Sequence, residues 1–170
     1  MSKKSHHFVA TPSLKQLLKN PILLLGFGLG SGLAKVGPGT AGTLLGLLLF
    51  LPLLLWNEYW AWGVFIMALL GGSYICAESS RWLGVHDHGG IVWDEFVGIW
   101  LVLLCLPEQS WVYWLAAFGL FRVFDILKPW PINWIDQRVS GGFGILLDDL
   151  VAAVFALGAI WIGFYVLAFV

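Results

Sequence analysis

The sequence predicts an all-α protein, a polytopic integral membrane helical bundle of about five spans with a glycine-rich re-entrant or broken helical segment before the first. Three observations lead there. Of 170 residues, 59% are apolar and only 11% are charged, against roughly 25% charged in an ordinary globular domain. The apolar residues fall in runs approaching the ~20 residues that a helix needs to cross a bilayer. The nine Lys and Arg residues all fall at alternate ends of those runs. A soluble domain of this size would lack the polar residues to cover its core. The composition therefore excludes a disordered chain, a basic nucleic-acid binder and most soluble enzymes. The net charge of −1 says nothing about partners.

Residues 1–20 read as a polar N-terminal tail and 21–170 as one membrane-embedded domain. The first apolar run, Ile22–Leu33, is interrupted by Gly26, Gly28, Gly30 and Gly32. It is too short to cross a bilayer as a helix, so a re-entrant or cavity-lining segment is expected. Lys3 and Lys4 precede it, yet its glycines argue against a secretion signal. The expected spans are Thr40–Trp56, Trp60–Cys76, Ile91–Pro107, Trp111–Leu127 and Leu150–Val170. Short turns at Asn57–Tyr59 and Glu108–Ser110 join them into hairpins. Cys76 and Cys105 sit in apolar runs without metal-ligand spacing and read as reduced thiols.

On this layout Lys3, Lys4, Lys15, Lys19, Lys35, Arg81, Arg122, Lys128 and Arg138 share one side, while Glu58 and Glu108 occupy the other. The positive-inside rule makes the basic side cytoplasmic and puts the C-terminus outside. Trp56, Trp60, Trp62, Trp111 and Trp114 mark the outer boundary, and Trp82, Trp93, Trp130 and Trp134 the inner one, as an aromatic belt would.

The same layout gathers chemistry at the cytoplasmic ends. Asp94 and Glu95 start the third span, Arg122, Asp125 and Lys128 close the fourth, and Asp148 and Asp149 open the fifth. Five converging carboxylates repel one another without a cation. An all-oxygen site suits Mg²⁺, Mn²⁺ or Ca²⁺ better than zinc or copper. Asp94 and Glu95 lie about 100° apart on a helix, so one cavity serves both only if it wraps that helix. Gly98, one turn beyond Glu95, leaves room for a close neighbour. Arg122 and Asp125 share a helical face; an intrahelical ion pair, with carboxylates favoured at helix N-termini, is the structural alternative to a site.

Two glycine stretches flank this face. GFGLGSG at 26–32 fits neither GxGxxG nor GxxxxGK[ST], which argues against nucleotide binding. It is either a closely packed turn or a backbone nest in which Ser31 and Thr40 hydroxyls face a phosphate. Gly141-Gly142-Phe143-Gly144 reads as a tight turn into the last helix. His86 and His88 bracket Asp87; an imidazole there would accept a proton or bind metal, although such a loop is more often simply hydrogen-bonded. Trp130–Val139 reads as an interfacial stretch.

Four runs, GFGLGSGLAKVGPGTAG (26–42), GVHDHGGIVWDEFVG (84–98), RVFDILKPWPI (122–132) and GGFGILLDDLVAA (141–153), resemble the phosphatidylglycerophosphatase A family. The resemblance implies a compact helical enzyme of the bacterial inner membrane. Its implied activity is Mg²⁺-dependent removal of the terminal phosphate of phosphatidylglycerophosphate at the cytoplasmic face, leaving phosphatidylglycerol. Lys35 departs from the family pattern and inherits no role from it. Residues and resemblance meet in one expectation: Asp94, Glu95, Asp125, Asp148 and Asp149 supply Mg²⁺ ligands. The general base comes from the same group, with Asp94, Glu95, Asp125 and Asp149 the catalytic candidates. Arg122, by its planar fork, and Lys128, as a point charge, hold phosphate oxygens. No DxDx[TV] run is present, which favours water as the attacking group. The rivals are a phosphatidyltransferase, whose DGxxAR-type run is missing, and a small cation transporter with intramembrane acids.

Overall fold

The computed structural model describes residues 11–85 and 88–168, and every regular element among them is helical. Two short helices, α1 (Leu14–Lys19) and α2 (Pro21–Gly26), lead into a 3₁₀ segment, Gly28–Leu33. Then come α3 (Pro38–Trp56), α4 (Glu58–Leu83), α5 (Trp93–Leu104), α6 (Trp111–Leu127), α7 (Ile132–Arg138) and α8 (Gly141–Ala168). The expected broken segment is present. Asn20 Oδ1 caps α2 by accepting from the N–H groups of Ile22 and Leu23. The chain then leaves helical geometry at Leu29 and Gly30. Part of the expected polar tail is structured, since α1 seats a fully buried Leu17 against the body.

Among the described residues three helices, α3, α4 and α8, are long and apolar enough to cross a membrane. The third expected span differs most from expectation. Its helix, α5, has only 12 residues, a rise of ~18 Å against a hydrocarbon core of ~30 Å. Every residue of α5 except Leu101 is buried. A helix apolar on all sides must be enclosed, and here α3, α4, α6 and α8 enclose it. Trp93 is therefore not a belt residue as expected. It is buried, and its indole N–H donates to the Ala68 carbonyl at 3.2 Å.

Lipid gives helices little apolar incentive to associate, so close backbone approach has to supply it. The α3 face that meets α5 carries Gly39, Gly42, Thr43 and Gly46 in consecutive turns, all buried. Trp100 of α5 donates its indole N–H to the Gly46 carbonyl at 2.9 Å, fixing the register of the pair. The last helix also begins earlier than expected. It starts at Gly141, in left-handed backbone (φ 82°), so Asp148 and Asp149 lie two turns inside α8 and do not open it. Gly142 is there for packing: a Cβ on it would stand 1.9 Å from the Ser73 carbonyl oxygen of α4.

Gly142→Val thus forces α4 and α8 apart, because the obstacle is backbone. We expect a loss of about 2 kcal/mol or more, in the range of overpacked cores, read as a lowered thermal midpoint in detergent. Gly158→Ala, which meets nothing within 4 Å, is expected to leave the midpoint unchanged or raise it.

Candidate active site

The site forms where α3 and α5 begin, α6 ends and α8 passes its second turn. Because α5 is enclosed, its first turn carries Asp94 and Glu95 into the interior. Gly39 opens space for Glu95: a Cβ there would lie 2.3 Å from Glu95 Oε1 and 3.0 Å from Arg122 Nη2. Asp149 reaches the same point from α8. One carboxylate oxygen from each of Asp94, Glu95 and Asp149 lies within 4.8 Å of the others, and all three residues are buried. The cavity does wrap the start of α5, as the spacing required. Gly98 serves the neighbouring turn, where a Cβ would meet the Phe121 ring at 2.5 Å.

These acids open on a cavity of about 320 Å³. Asp94, Glu95, Asp125, Asp136, Asp148 and Asp149 line it, with Lys128 the cation among the lining residues. Lys128 Nζ donates to Asp148 at 2.5 Å and to Asp136 at 2.7 Å. Burial opposes its charge, but these two hydrogen bonds outweigh it and hold the ammonium above its ordinary pKa. The residue sits in left-handed backbone (φ 41°) at the end of α6, a conformation costing about 1–2 kcal/mol outside glycine. The two ion pairs hold it there.

Arg122 approaches the acids from α6. Its Nη1 lies 2.6 Å from Asp125 Oδ2 and 3.7 Å from Glu95 Oε1, and it donates to Thr43 Oγ1 at 3.4 Å. The intrahelical ion pair allowed by the sequence is thus present, and it extends across to α5. Arg122 is not among the residues lining the cavity. With all groups ionised, six lining carboxylates face these two cations. Buried oxygens of Glu95, Asp148 and Asp149 find no hydrogen-bond partner. Buried polar atoms are ordinarily satisfied. A compact set of carboxylate oxygens with spare lone pairs fits a hard divalent cation such as Mg²⁺.

The other expected residues lie apart from this cluster. Ser31 donates its hydroxyl to the Gly28 carbonyl at 2.8 Å within the 3₁₀ segment, and Thr40 is exposed in the first turn of α3; neither lines the acid cavity. His88 Nδ1 accepts from the Gly90 N–H at 3.0 Å, the hydrogen-bonded loop that was the structural alternative. His86 and Asp87 lie outside the described residues. Two residues were missed. Asp136 belongs to the short α7, inside a stretch read only as interfacial; it is the one acid between Lys128 and Asp148, which was an available signal. Thr43 is fully buried and donates to the Gly39 carbonyl at 2.9 Å. Its signal was a polar residue on a small-residue stripe inside an apolar run.

The Lys128–Asp148 pair is part-buried, so its two groups are energetically linked. In a double-mutant cycle of Lys128→Met and Asp148→Asn, followed by thermal unfolding in detergent, we expect a coupling of about 1 kcal/mol or more. Additive losses would show that the pair contributes nothing.

Comparison with known proteins agrees with this geometry. The phosphatidylglycerophosphatase A family profile matches residues 24–164. The chain is 44% identical over 161 residues to phosphatidylglycerophosphatase A of Escherichia coli K12, covering 92% of this chain and 90% of that protein. It is 48% identical over 159 residues to phosphatidylglycerophosphatase A of Haemophilus influenzae Rd, covering 85% and 90%. A putative phosphatidylinositol-3-phosphatase of Bacteroides thetaiotaomicron is 34% identical over 144 residues, covering 79% and 87%. No solved structure matches. By profile and by identity over most of its length, the chain belongs to the phosphatidylglycerophosphatase A family.

Proposed function

We propose that the protein hydrolyses the terminal phosphate monoester of phosphatidylglycerophosphate, giving phosphatidylglycerol and inorganic phosphate, with Mg²⁺ as cofactor. The observation that carries this is the buried Asp94–Glu95–Asp149 cluster, opening with Lys128 on one cavity at an end of apolar helices. The names of the two phosphatidylglycerophosphatase A relatives, 44% and 48% identical to the chain, supply the substrate. In this reading the chain crosses about five times, with α5 too short to face lipid alone and crossing inside the bundle together with its flanking loops. This end of the bundle then lies at the cytoplasmic face of a bacterial inner membrane and the C-terminus outside. The alternation of basic residues supports that orientation.

Hydrolysis of the monoester breaks the bond between phosphorus and the glycerol oxygen. Water supplies the new oxygen, and its proton ends on the leaving alcohol. Asp94, Glu95 and Asp149 would hold the cation, which would supply charge neutralisation for the phosphoryl oxygens. Lys128 faces the same cavity and binds a phosphate oxygen as a point charge, exchanging Asp136 or Asp148 for the substrate. A carboxylate of the cluster takes the proton from the attacking water. Arg122 is held by Asp125 and Thr43 and presents its guanidinium to Glu95. From there it steadies the acid cluster and adds positive potential for the anionic transition state.

Purified protein in detergent is expected to release phosphate from phosphatidylglycerophosphate with Mg²⁺, to stop with EDTA, and to resume when Mg²⁺ is restored. Asp94→Asn and Asp149→Asn are each expected to lower kcat by about 10²-fold or more while eluting as folded protein. Near-normal turnover in both variants would remove the assignment.

A further inference from the structure

The acid cavity has a neighbour of opposite character. A second cavity, of about 610 Å³, shares Gly89 with it. Its lining includes Gly32, Lys35, Pro38 and His88, and among the described residues no carboxylate lines it. Lys35 is exposed, and none of the ion pairs found among the described residues involves it. His88 uses Nδ1 to accept from the Gly90 N–H. A neutral ring in that arrangement carries its proton on Nε2 and offers a donor. Two cavities that meet at one glycine thus divide their chemistry. One gathers carboxylates that fit a cation, and the other presents donors and a cation that fit an anion.

We infer that this second cavity binds the internal phosphodiester of the lipid substrate, with Lys35 its principal contact and His88 a hydrogen-bond donor. The inference rests on the phosphatase reading above. Phosphatidylglycerophosphate carries two anionic groups joined through a three-carbon glycerol: the terminal monoester that is cleaved and the diester that is not. With the monoester at the acid cluster, the diester has the adjoining anion-favouring cavity within reach across Gly89. A lipid with one phosphate, such as phosphatidic acid, places that phosphate at the acid cluster and leaves the second cavity empty. Lys35 therefore contributes to specificity, because specificity is the difference between the two affinities.

The test uses purified protein in neutral detergent with Mg²⁺, comparing wild type with Lys35→Gln and Lys35→Glu. For phosphatidylglycerophosphate, KM is expected to rise about three- to fivefold in the first, the scale of one solvent-screened charge pair. It should rise further in the second, with kcat within twofold in both and the effect shrinking as salt is added. Inhibition by phosphatidic acid, added as a competitor, is expected to stay unchanged. Unchanged KM in the charge-reversed variant, or loss of phosphatidic acid inhibition in step with KM, would overturn the subsite. Wild-type protein that releases no phosphate from either lipid would instead overturn the phosphatase reading, and the subsite with it.

Discussion

Enclosing α5 on every side is the constraint from which the site follows. An apolar helix wrapped by α3, α4, α6 and α8 has no wet face to which it could turn a charged residue. Asp94 and Glu95, in its first turn, are therefore buried with it. Carboxylates so placed are costly unless compensated. The neighbouring helices bring Arg122 and Lys128 to the cluster, but they also add Asp125, Asp148 and Asp149, so the negative charge stays in excess. The small residues of α3 are part of the same arrangement. Without Gly39 there would be no room for Glu95 Oε1 and the Arg122 guanidinium beside the helix. Packing and electrostatics are thus one problem at this end of the bundle, and the carboxylate oxygens it gathers fit the divalent cation proposed above.

Much of this was legible in the sequence. Composition argues against a soluble domain, because 11% charged residues cannot clothe a soluble core, and the length of the apolar runs adds the helices. The glycine pattern at 26–32 foretold a broken segment, since a continuous helix would place four glycines at unfavourable interior positions. Alternation of charge between run ends brings Asp94, Glu95, Asp125, Asp148 and Asp149 to one end of the bundle on sequence alone. Less legible was which apolar runs face lipid and which face protein. Hydropathy reads both environments alike, so the run around α5 looked like an ordinary span, and Trp93 like an interfacial anchor. The start of α8 was also hidden. Gly141–Gly144 has the composition of a turn, and only the presence of α4 within contact of Gly142 makes helix the better use of those glycines. A contact between distant segments, such as Thr43 with Arg122, has no local signature that names its partner.

Two cavities of opposite preference meeting at Gly89 give the molecule a way to read a headgroup and not merely a phosphate. In the proposed reaction a cation on the acid side would offset its carboxylates before an anion enters, which would tie substrate binding to metal binding. Lys128 lines the acid cavity, paired with Asp136 and Asp148. Its left-handed backbone is consistent with a side chain placed by function and retained by its ion pairs.

Central to this account is a divalent cation held by Asp94, Glu95 and Asp149, and the most direct measurement is to locate one. Crystals of the protein grown with Mn²⁺ in place of Mg²⁺ would be measured at the manganese absorption edge. The account predicts an anomalous peak among the three carboxylates, lost in Asp149→Asn crystals. A well-ordered site at saturating Mn²⁺ with no peak there, or with the peak elsewhere, would contradict it.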